Sequence, residues 1–260
     1  MDLTIVIPCY DEVENVELLA SELTPVVESL RRGRSVEIVL VDDGSTDGTG
    51  DLLMTRFAAV PDAQVVRHPR NLGLGAALRT GFRHARGEVV VTTDSDASYP
   101  FLLILPLLDH LRPGVDVVTA SCYHPDGGVE NVPRHRVILS KMASLMYRVL
   151  VDRRIYTYTC MFRAYRREVL ESVAFRSDGF LSVTELLANA LLAGYVVREM
   201  PCRLRARRHG VSKAKIARTI AAHLRFQWQL LSARGRRVLR QRPASAHPSE
   251  TEKVGESALS

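Results

Sequence analysis

The sequence predicts an α/β fold in which a largely parallel sheet is flanked by helices. In the first half of the chain, short apolar segments alternate with longer amphipathic ones, as is typical of β-α-β units. Gly33 and Gly87 stand where two of the predicted helices would end. With 260 residues, 46% of them hydrophobic, the chain can bury one sizeable core, so we expect one large domain with appendages.

The regular elements can be placed along the chain from these periodicities. Strands are predicted near residues 3–8, 37–41, 64–68, 89–93 and 116–121. Helices are predicted near residues 14–31, 47–59, 74–86, 101–111 and 135–151. A loop-strand-helix section covers 157–194, and a last strand covers about 195–204. Nowhere do eighteen uncharged apolar residues follow one another, so no transmembrane helix is predicted.

The C-terminal part of the chain is strongly basic. Residues 203–242 hold thirteen of the 35 Lys and Arg and none of the 29 Asp and Glu. Such a segment favours phosphates, anionic lipid or nucleic acid as partners, although a solvated basic tail would have the same composition. We divide the chain into a main domain of residues 1–212, a basic amphipathic extension of residues 213–242, and a tail of residues 243–260 whose composition predicts disorder.

The extension has a helical pattern. On a helical wheel of residues 216–231 one broad arc is apolar, and it holds Ile216, Ile220, Leu224, Trp228, Leu230 and Leu231. The opposite side holds Arg218, Arg225 and Gln229. This pattern fits a helix at a membrane surface, or one that docks on the protein's own core. In a second amphipathic helix, residues 137–151, the polar stripe holds Lys141, Ser144 and Arg148. Nucleic acid is not predicted as a partner, because the basic run lacks interleaved aromatic residues.

The cysteines and the N-terminal segment indicate in which cellular compartment the protein is found. Cys9, Cys122, Cys160 and Cys202 are far apart in the sequence and form no C-x-x-C pair, so neither a zinc site nor a disulfide framework is predicted. The chain begins with a strand-like segment, without the basic and apolar regions of a signal peptide. We therefore expect a cytoplasmic protein.

Carboxylates follow three of the predicted strands. Asp11 and Glu12 follow the first strand, Asp42 and Asp43 end the second, and Asp94-Ser95-Asp96 follows the fourth. In a parallel sheet these ends meet at one edge, where ligands bind, and so many carboxylates would repel one another without a cation.

The Asp94-Ser95-Asp96 sequence predicts a metal site. Asp94 and Asp96 are two residues apart, so both can reach one hard cation such as Mg²⁺ or Mn²⁺, which would bind a diphosphate. A lone D-x-D is common by chance, and one Asp could instead cap a helix. The glycine-rich Asn71-Leu72-Gly73-Leu74-Gly75 is not a dinucleotide fingerprint, because position 78 is Leu and the motif follows the third strand.

Taken in order, the motifs resemble glycosyltransferase family 2. They are Ile7-Pro8-Cys9-Tyr10-Asp11-Glu12 with Asn15, Val41-Asp42-Asp43-Gly44-Ser45-Thr46-Asp47, Asn71-Leu72-Gly73-Leu74-Gly75 and Asp94-Ser95-Asp96. The second half resembles dolichyl-phosphate and polyprenyl-phosphate mannosyltransferases, through Gly127-Gly128-Val129, the segment Phe162 to Leu170, and Arg207-Arg208-His209-Gly210-Val211-Ser212-Lys213. The resemblance covers roughly residues 3–225 and implies the GT-A fold.

The resemblance also implies roles for individual residues. It assigns binding of the donor nucleotide to Pro8, Tyr10, Glu12, Val41, Asp43, Asp94, Ser95 and Asp96, with Asp94 and Asp96 as metal ligands. It assigns the catalytic centre to Asp96, Arg136, Arg207 and Lys213. Arg207 and Lys213 match basic residues that reach phosphate or sugar in the family, and Arg136 matches a basic group that faces the acceptor phosphate. Three departures stand out: Cys122 replaces an Arg of the family, Thr157 replaces an Asp, and Cys160 replaces a nearby Gly.

The expected reaction is inverting, metal-dependent transfer of a sugar from a nucleotide sugar to a polyprenyl phosphate. GDP-mannose is the favoured donor, and mannose is the transferred sugar. The protein would lie peripherally on the inner face of a membrane. Two alternatives stay open. The acceptor could be an alcohol, for which Glu185 is the first candidate base, or the chain could bind nucleotide sugars without catalysis.

Overall fold

The computed structural model describes residues 1–207 and 216–240, with side chains of the last helix described as far as Ser232. The strands in these ranges are β1 (Leu3–Cys9), β2 (Val36–Asp42), β3 (Ala63–Arg67), β4 (Val89–Thr92), β5 (Val117–Ser121), β6 (Gly128–Glu130), β7 (Arg163–Arg166), β8 (Val197–Pro201) and β9 (Arg203–Arg205). The helices are α1 (Val13–Arg31), α2 (Thr49–Phe57), α3 (Leu74–His84), α4 (Ile104–Asp109), α5 (Arg134–Leu150), α6 (Arg167–Ser172), α7 (Leu181–Leu192) and α8 (Ile216–Arg240), with a short 3₁₀ turn at Phe101–Leu103.

A seven-stranded sheet forms the centre of the molecule, so the predicted α/β class and its flanking helices are confirmed. The strand order is β3-β2-β1-β4-β7-β5-β8, and only β7 runs antiparallel to its neighbours within this sheet. All residues of β1 and β2 are buried, because helices cover both faces of the sheet. Leu3, Ile5 and Ile7 belong to the same apolar cluster as Leu19 and Leu23 of α1.

The prediction for the last strand was wrong in one respect. Residues 195–204 form two strands, because the chain leaves the main sheet after β8 and pairs β9 with β6 in a separate two-stranded sheet. In that sheet Gly128 pairs with Arg203 and Glu130 with Arg205. The sequence prediction missed β6, because three residues are too few to show a period. The result is that the chain after β9 turns back toward the ends of β1 and β4.

One arginine is fully buried within the sheet. Arg163 of β7 has no exposed surface, and its guanidinium donates hydrogen bonds to Thr119 Oγ1 (3.0 Å), to the carbonyl of Tyr158 (2.8 Å) and to the carbonyl of Val183. These partners lie on β5, on the loop before β7 and on α7. The side chain therefore holds three separate segments together.

Helix α8 packs against the body of the protein through one side only. Phe226 is buried, Leu230 is partly buried against the same cluster, and the hydroxyl of Tyr147 on α5 lies 3.0 Å from His223 Nδ1. Burial lowers the pKa of His223 to about 4, so this histidine is neutral at physiological pH. Within residues 1–207 and 216–240, no helix is long and apolar enough to cross a membrane. The predicted tail, residues 243–260, and the first residues of the predicted extension, 213–215, lie outside the described residues.

Candidate active site

The three acidic strand ends meet as predicted, because β1 lies between β2 and β4 in the sheet. Cys9 at the end of β1 pairs with Asp42 at the end of β2, and Val6 pairs with Thr92 at the end of β4. The loops that follow these strands therefore share one edge of the sheet. That edge is where ligands bind in open parallel sheets.

An arginine from the C-terminal half reaches this edge. Arg207 Nη2 lies 3.0 Å from Asp96 Oδ2, and Arg207 Nη1 lies 3.5 Å from Glu12 Oε1. Asp96 is 4% exposed, and its second oxygen accepts a hydrogen bond from the backbone N–H of Ser98 at 2.9 Å. Three of the predicted residues, Glu12, Asp96 and Arg207, are thus brought together from chain positions far apart.

Asp94 lies in an environment that disfavours its negative charge. Burial, followed by the charge of Asp96, raises the pKa of the Asp94 carboxyl to about 7. A cation at this place would remove the penalty, and carboxylate oxygens are the ligands that Mg²⁺ and Mn²⁺ prefer. Among the described residues no group of three or more His, Cys, Asp or Glu could hold a metal ion by itself. A metal bound by Asp94 and Asp96 would therefore take its other ligands from phosphate and water.

Asp43 already has protein partners. Its Oδ1 lies 2.7 Å from His68 Nδ1 and accepts a hydrogen bond from the backbone N–H of Leu72 (3.0 Å), while its Oδ2 accepts one from Gly73 (2.8 Å). A carboxylate has about four acceptor positions, so one remains for a ligand. Asp43 therefore shapes the turn before α3, a role that sequence reasoning did not assign to it.

The other predicted donor-binding residues differ in what their side chains can reach. Tyr10 lines a cavity of about 630 Å³ beside the ends of β2 and β3, together with His68 and Arg70. Val41 is fully buried in the core beside Val6, so only its backbone could contact a ligand. Pro8 and Ser95 are buried at the sheet edge. His68 and Arg70 are additions to the predicted set, and no sequence motif marked them.

A second and larger cavity begins at the carboxylates. It has a volume of about 770 Å³, and Asp94, Asp96, Arg136 and Arg207 line its polar end. Its other end is apolar and lies between α5 and α8, where its walls include Met142, Met146, Ile216, Ile220 and Leu224. One cavity thus joins a highly charged site to an apolar passage between two helices.

Arg136 lines this cavity at the start of α5. Its side chain is half-buried, and among the described residues it forms no salt bridge. Burial, and then the nearby charge of Arg207, lowers the pKa of its guanidinium. Two guanidinium groups therefore face the same space, which favours an anionic ligand there. Lys213, the fourth predicted catalytic residue, lies outside the described residues.

Glu185 is engaged elsewhere. Its two carboxylate oxygens accept hydrogen bonds from the backbone N–H groups of Arg176 (3.1 Å) and Ser177 (2.9 Å). Its side chain is buried and is not part of the wall of the larger cavity. The structure thus gives the residue that we considered as a base for an alcohol acceptor a role in holding the loop before α7.

Two of the three departures from the family pattern, Cys122 and Thr157, are neighbours in the structure. Thr157 Oγ1 lies 2.7 Å from Ser121 Oγ and accepts a hydrogen bond from the backbone N–H of Tyr123 at 3.2 Å, on either side of Cys122. The residues that Cys122 and Thr157 replace carry opposite charges. Their joint loss removes a cation and an anion from one small region, so the net charge there is unchanged.

Helix α5 has its apolar side turned outward. Ser144 of the predicted polar stripe is buried and accepts a hydrogen bond from the backbone N–H of Tyr158 (3.2 Å). Lys141 and Arg148 lie over the rings of Tyr123 and Tyr156. The exposed side chains of α5 include Ile138, Met142, Leu145, Met146 and Val149, each at least 46% exposed.

Helix α8 continues this exposed apolar surface. Of the predicted apolar arc, only Leu230 packs against the body of the protein. The others are exposed: Ile216, Ile220, Leu224, Trp228 and Leu231, with Trp228 at 72%. We call the exposed apolar side chains of α5 and α8 together the apolar face. An exposed apolar surface of this size marks a site of interaction.

Comparison with known proteins identifies the class that this fold and site define. Residues 4–174 match the family described as Glycosyl transferase family 2. The chain therefore belongs to glycosyltransferase family 2 and is a glycosyltransferase with the GT-A fold.

Three relatives of the chain have names that state an enzymatic activity. Over 216 residues the chain is 38% identical to the polyprenol monophosphomannose synthase of Mycolicibacterium smegmatis, covering 80% of this chain and 79% of that protein. It is 33% identical over 237 residues to the dolichol-phosphate mannosyltransferase of Pyrococcus furiosus, covering 90% of this chain and 65% of that longer protein. It is 31% identical over 219 residues to the undecaprenyl-phosphate mannosyltransferase of Micrococcus luteus, covering 82% of this chain and 87% of the relative.

Solved structures share the fold at lower identity. Glucosyl-3-phosphoglycerate synthase from Mycobacterium tuberculosis, in a complex with Mn²⁺, UDP and glucosyl-3-phosphoglycerate, superposes with a TM-score of 0.65 at 22% identity, covering 90% of this chain and 79% of that chain. A complex of the same enzyme with Mg²⁺ and UDP gives a TM-score of 0.66 at 21% identity, covering 87% of this chain and 79% of that chain. At this identity the likeness establishes the fold alone.

Proposed function

We propose that this glycosyltransferase transfers a hexose from a nucleotide sugar to a polyprenyl phosphate with inversion at the anomeric carbon. We further propose that GDP-mannose is the donor and that mannose is the transferred sugar. The observation that carries the proposal is the larger cavity, which joins Asp94, Asp96, Arg136 and Arg207 to an apolar passage between α5 and α8. A polyprenyl phosphate likewise has a charged phosphate at one end, followed by a long apolar chain. The three relatives, all named for mannose transfer to a polyprenyl phosphate, support the same substrate class.

The chemistry of a phosphate acceptor agrees with the side chains present. A phosphate monoester is already ionised at neutral pH, so its attack on the anomeric carbon needs positioning and charge stabilisation and no strong base. Arg136 and Arg207 would hold the acceptor phosphate and share its negative charge. Glu185, the first candidate base for an alcohol acceptor, is held by backbone N–H groups away from the cavity. This arrangement favours the phosphate over the alcohol.

The donor would lie across the edge of the sheet. Its nucleoside would enter the cavity lined by Tyr10, His68 and Arg70, and its diphosphate would approach Asp94 and Asp96. A Mg²⁺ or Mn²⁺ ion held by Asp94 and Asp96 would supply neutralisation of the charge that develops on the leaving diphosphate. The raised pKa of Asp94 and the hard oxygen ligands of the two carboxylates fit such an ion.

The acceptor would be taken from a membrane that contacts the apolar face. The apolar face flanks the passage between α5 and α8, so a lipid chain could pass from the bilayer into the cavity without crossing water. Arg207 lines the cavity, but the other basic residues of 203–242 would add roughly 1 kcal/mol each where they lie near anionic headgroups. We therefore propose peripheral binding to a membrane.

The deciding experiment is a transfer assay with purified protein. Labelled GDP-mannose or UDP-glucose, Mg²⁺ or Mn²⁺, and short polyprenyl phosphates are incubated together, with the matching polyprenols as control acceptors. We expect mannosyl transfer to the phosphate and none to the alcohol. Transfer to the polyprenol would favour the alcohol alternative, and donor binding without transfer to either acceptor would favour a protein without catalysis.

Arg136→Gln should raise the KM for the polyprenyl phosphate about tenfold or more, because one of two guanidinium groups that face the acceptor phosphate is removed. Donor affinity should change little, since Arg136 does not line the cavity proposed for the nucleoside. Arg134→Gln is the matched control, because Arg134 is an exposed residue of the same first turn. An unchanged acceptor KM in Arg136→Gln would rule out this role.

Met142→Glu should reduce binding to vesicles of anionic phospholipid about tenfold, because it places a charge in the part of the apolar face that α5 contributes. Cosedimentation at several lipid concentrations measures the change. Leu102→Glu is the control, since Leu102 is 64% exposed but belongs to neither α5 nor α8. Equal binding of the two variants would show that the apolar face does not contact the membrane.

A further inference from the structure

Three of the four cysteines, far apart in the sequence, come together beside the larger cavity. Ser121 pairs with Pro201 in the parallel β5–β8 ladder, and the next residue along each chain is a cysteine, Cys122 and Cys202. The backbone N–H of Cys202 donates to the carbonyl of Ser121 at 3.2 Å, so the strands are still adjacent at this point. Neighbouring strands are about 4.8 Å apart, which is within the Cα range that a disulfide spans.

The third cysteine lies on the other side of Cys122. Strand β7 is antiparallel to β5, and the backbone N–H of Ala120 donates to the carbonyl of Phe162 at 3.0 Å, which extends the ladder past its last paired residues. Continuing this register two residues, forward from Ala120 and backward from Phe162, places Cys122 beside Cys160, and the two side chains are close enough for their charges to interact. Cys122 thus has a cysteine neighbour on each of the two adjoining segments.

These thiols are buried in protein but border the cavity. Cys122 and Cys160 are each 5% exposed and contribute to the cavity wall, and Cys202 is 8% exposed. Burial raises the pKa of all three thiols, that of Cys202 to about 12, so they are protonated at neutral pH. A small neutral oxidant can reach Cys122 through the cavity without entering the core.

We propose that Cys122 and one of its two cysteine neighbours form an oxidisable dithiol site in the wall of the larger cavity, which hydrogen peroxide converts to a disulfide. Peroxide oxidises the small thiolate fraction of Cys122 to a sulfenic acid and is itself reduced to water, so the reaction is slow at neutral pH and faster at higher pH. The thiol of Cys160 or Cys202 then attacks the sulfenic sulfur, the S–S bond forms and a second water leaves. The outcome is a covalent link between two segments of the cavity wall.

The disulfide restricts use of the acceptor, a consequence that rests on the proposed function. Cys122 and Cys160 border the cavity that would hold the lipid phosphate, whereas the nucleoside cavity is lined by other residues. Oxidation therefore lowers transfer to polyprenyl phosphate by about tenfold or more, because small displacements at a reacting centre cost rate steeply. Binding of the nucleotide sugar is retained, and dithiothreitol restores transfer.

Mass spectrometry of the full-length protein tests the site. The protein is treated with hydrogen peroxide, denatured, alkylated, and measured intact and after digestion without reduction. We expect two fewer alkyl groups than on the fully reduced protein and a cross-linked peptide that contains Cys122. Cys122→Ser and Cys122→Ala should both lack the cross-link. Cys9→Ser is the control and should keep it, because Cys9 ends β1, three strands away from β5 in the sheet.

The possible results separate this proposal from the proposed function. Full alkylation of all cysteines after peroxide, or a cross-link that persists in the Cys122 variants, would overturn the dithiol site. A disulfide that leaves transfer unchanged would overturn its effect on the acceptor. Absence of transfer in the fully reduced protein would instead count against the proposed function, while the mass measurement would still decide whether the disulfide forms.

Discussion

Asp96→Asn should lower the rate of sugar transfer about 100-fold or more, because it removes one of the two charges that would hold a metal at the leaving diphosphate. Asn keeps the shape of the side chain, and its amide oxygen can still accept the hydrogen bond from the backbone of Ser98. The ion pair with Arg207, at 3.0 Å, is lost as well. Both effects act on the same diphosphate and acceptor region.

The measurement has two parts. The kcat/KM of transfer is determined with labelled donor, and binding of Mn²⁺ is followed directly by paramagnetic resonance, with and without nucleoside diphosphate. Asp109→Asn is the control, since Asp109 is an exposed residue at the end of α4. Mn²⁺-dependent donor binding that is the same in Asp96→Asn and in the unaltered protein would remove the proposed metal role of this residue.

Arg163→Met should lower the free energy of unfolding by about 3–5 kcal/mol, because two buried carbonyls and a buried hydroxyl each lose a hydrogen bond from a charged donor. The partners are Tyr158, Val183 and Thr119, on three different segments. Methionine fills much of the same volume without replacing these hydrogen bonds. Loops that line the larger cavity, including that of Cys160, should also become more mobile.

Urea denaturation measures this change in stability. Arg198→Met is the matched control, because Arg198 lies on β8 of the same sheet and is exposed. We expect its unfolding free energy to change by no more than about 0.5 kcal/mol. Arg163→Lys keeps the charge but cannot make the same set of hydrogen bonds, so it should also destabilise the protein. Similar stabilities of the Arg163 and Arg198 variants would show that the buried guanidinium contributes little.

The parts of the fold that the sequence predicted well are those with a clear local period. The strands at 3–8 and 37–41 lie within one residue of the observed β1 and β2, and α1 begins one residue before its predicted start. Short elements were less well predicted. Strand β6 was missed, and the predicted strand 195–204 proved to be two, because pairing partners far along the chain decide where such short strands end.

The candidate site shows a similar division. The meeting of the acidic strand ends could be predicted, since it follows from parallel strands and from the order of their carboxyl ends. The engagement of Asp43 with His68, and of Glu185 with the loop before α7, could not be predicted. The sequence does not show whether a carboxylate is available to bind a ligand or already accepts hydrogen bonds from the backbone. The catalytic roles of individual residues stay predictions.

The amphipathic pattern of α5 was visible in the sequence, but not the direction of its faces. A period of 3.6 residues separates a polar from an apolar side and does not say which one meets the protein. Ser144 proved to be buried, with Met142 exposed on the opposite side. Only packing against the Tyr158 segment decided this, and the outward apolar face supports the membrane binding that we propose.

The sequence alone determined the α/β class, the family and the acidic edge at the ends of β1, β2 and β4, because each depends on local periods and on motifs in a fixed order. Tertiary structure alone decided that Arg207 reaches Asp96, that one cavity joins this edge to the passage between α5 and α8, and that Cys122, Cys160 and Cys202 are neighbours. These are contacts between residues far apart in the chain. Such contacts are set by the packing of whole elements, which no local pattern encodes.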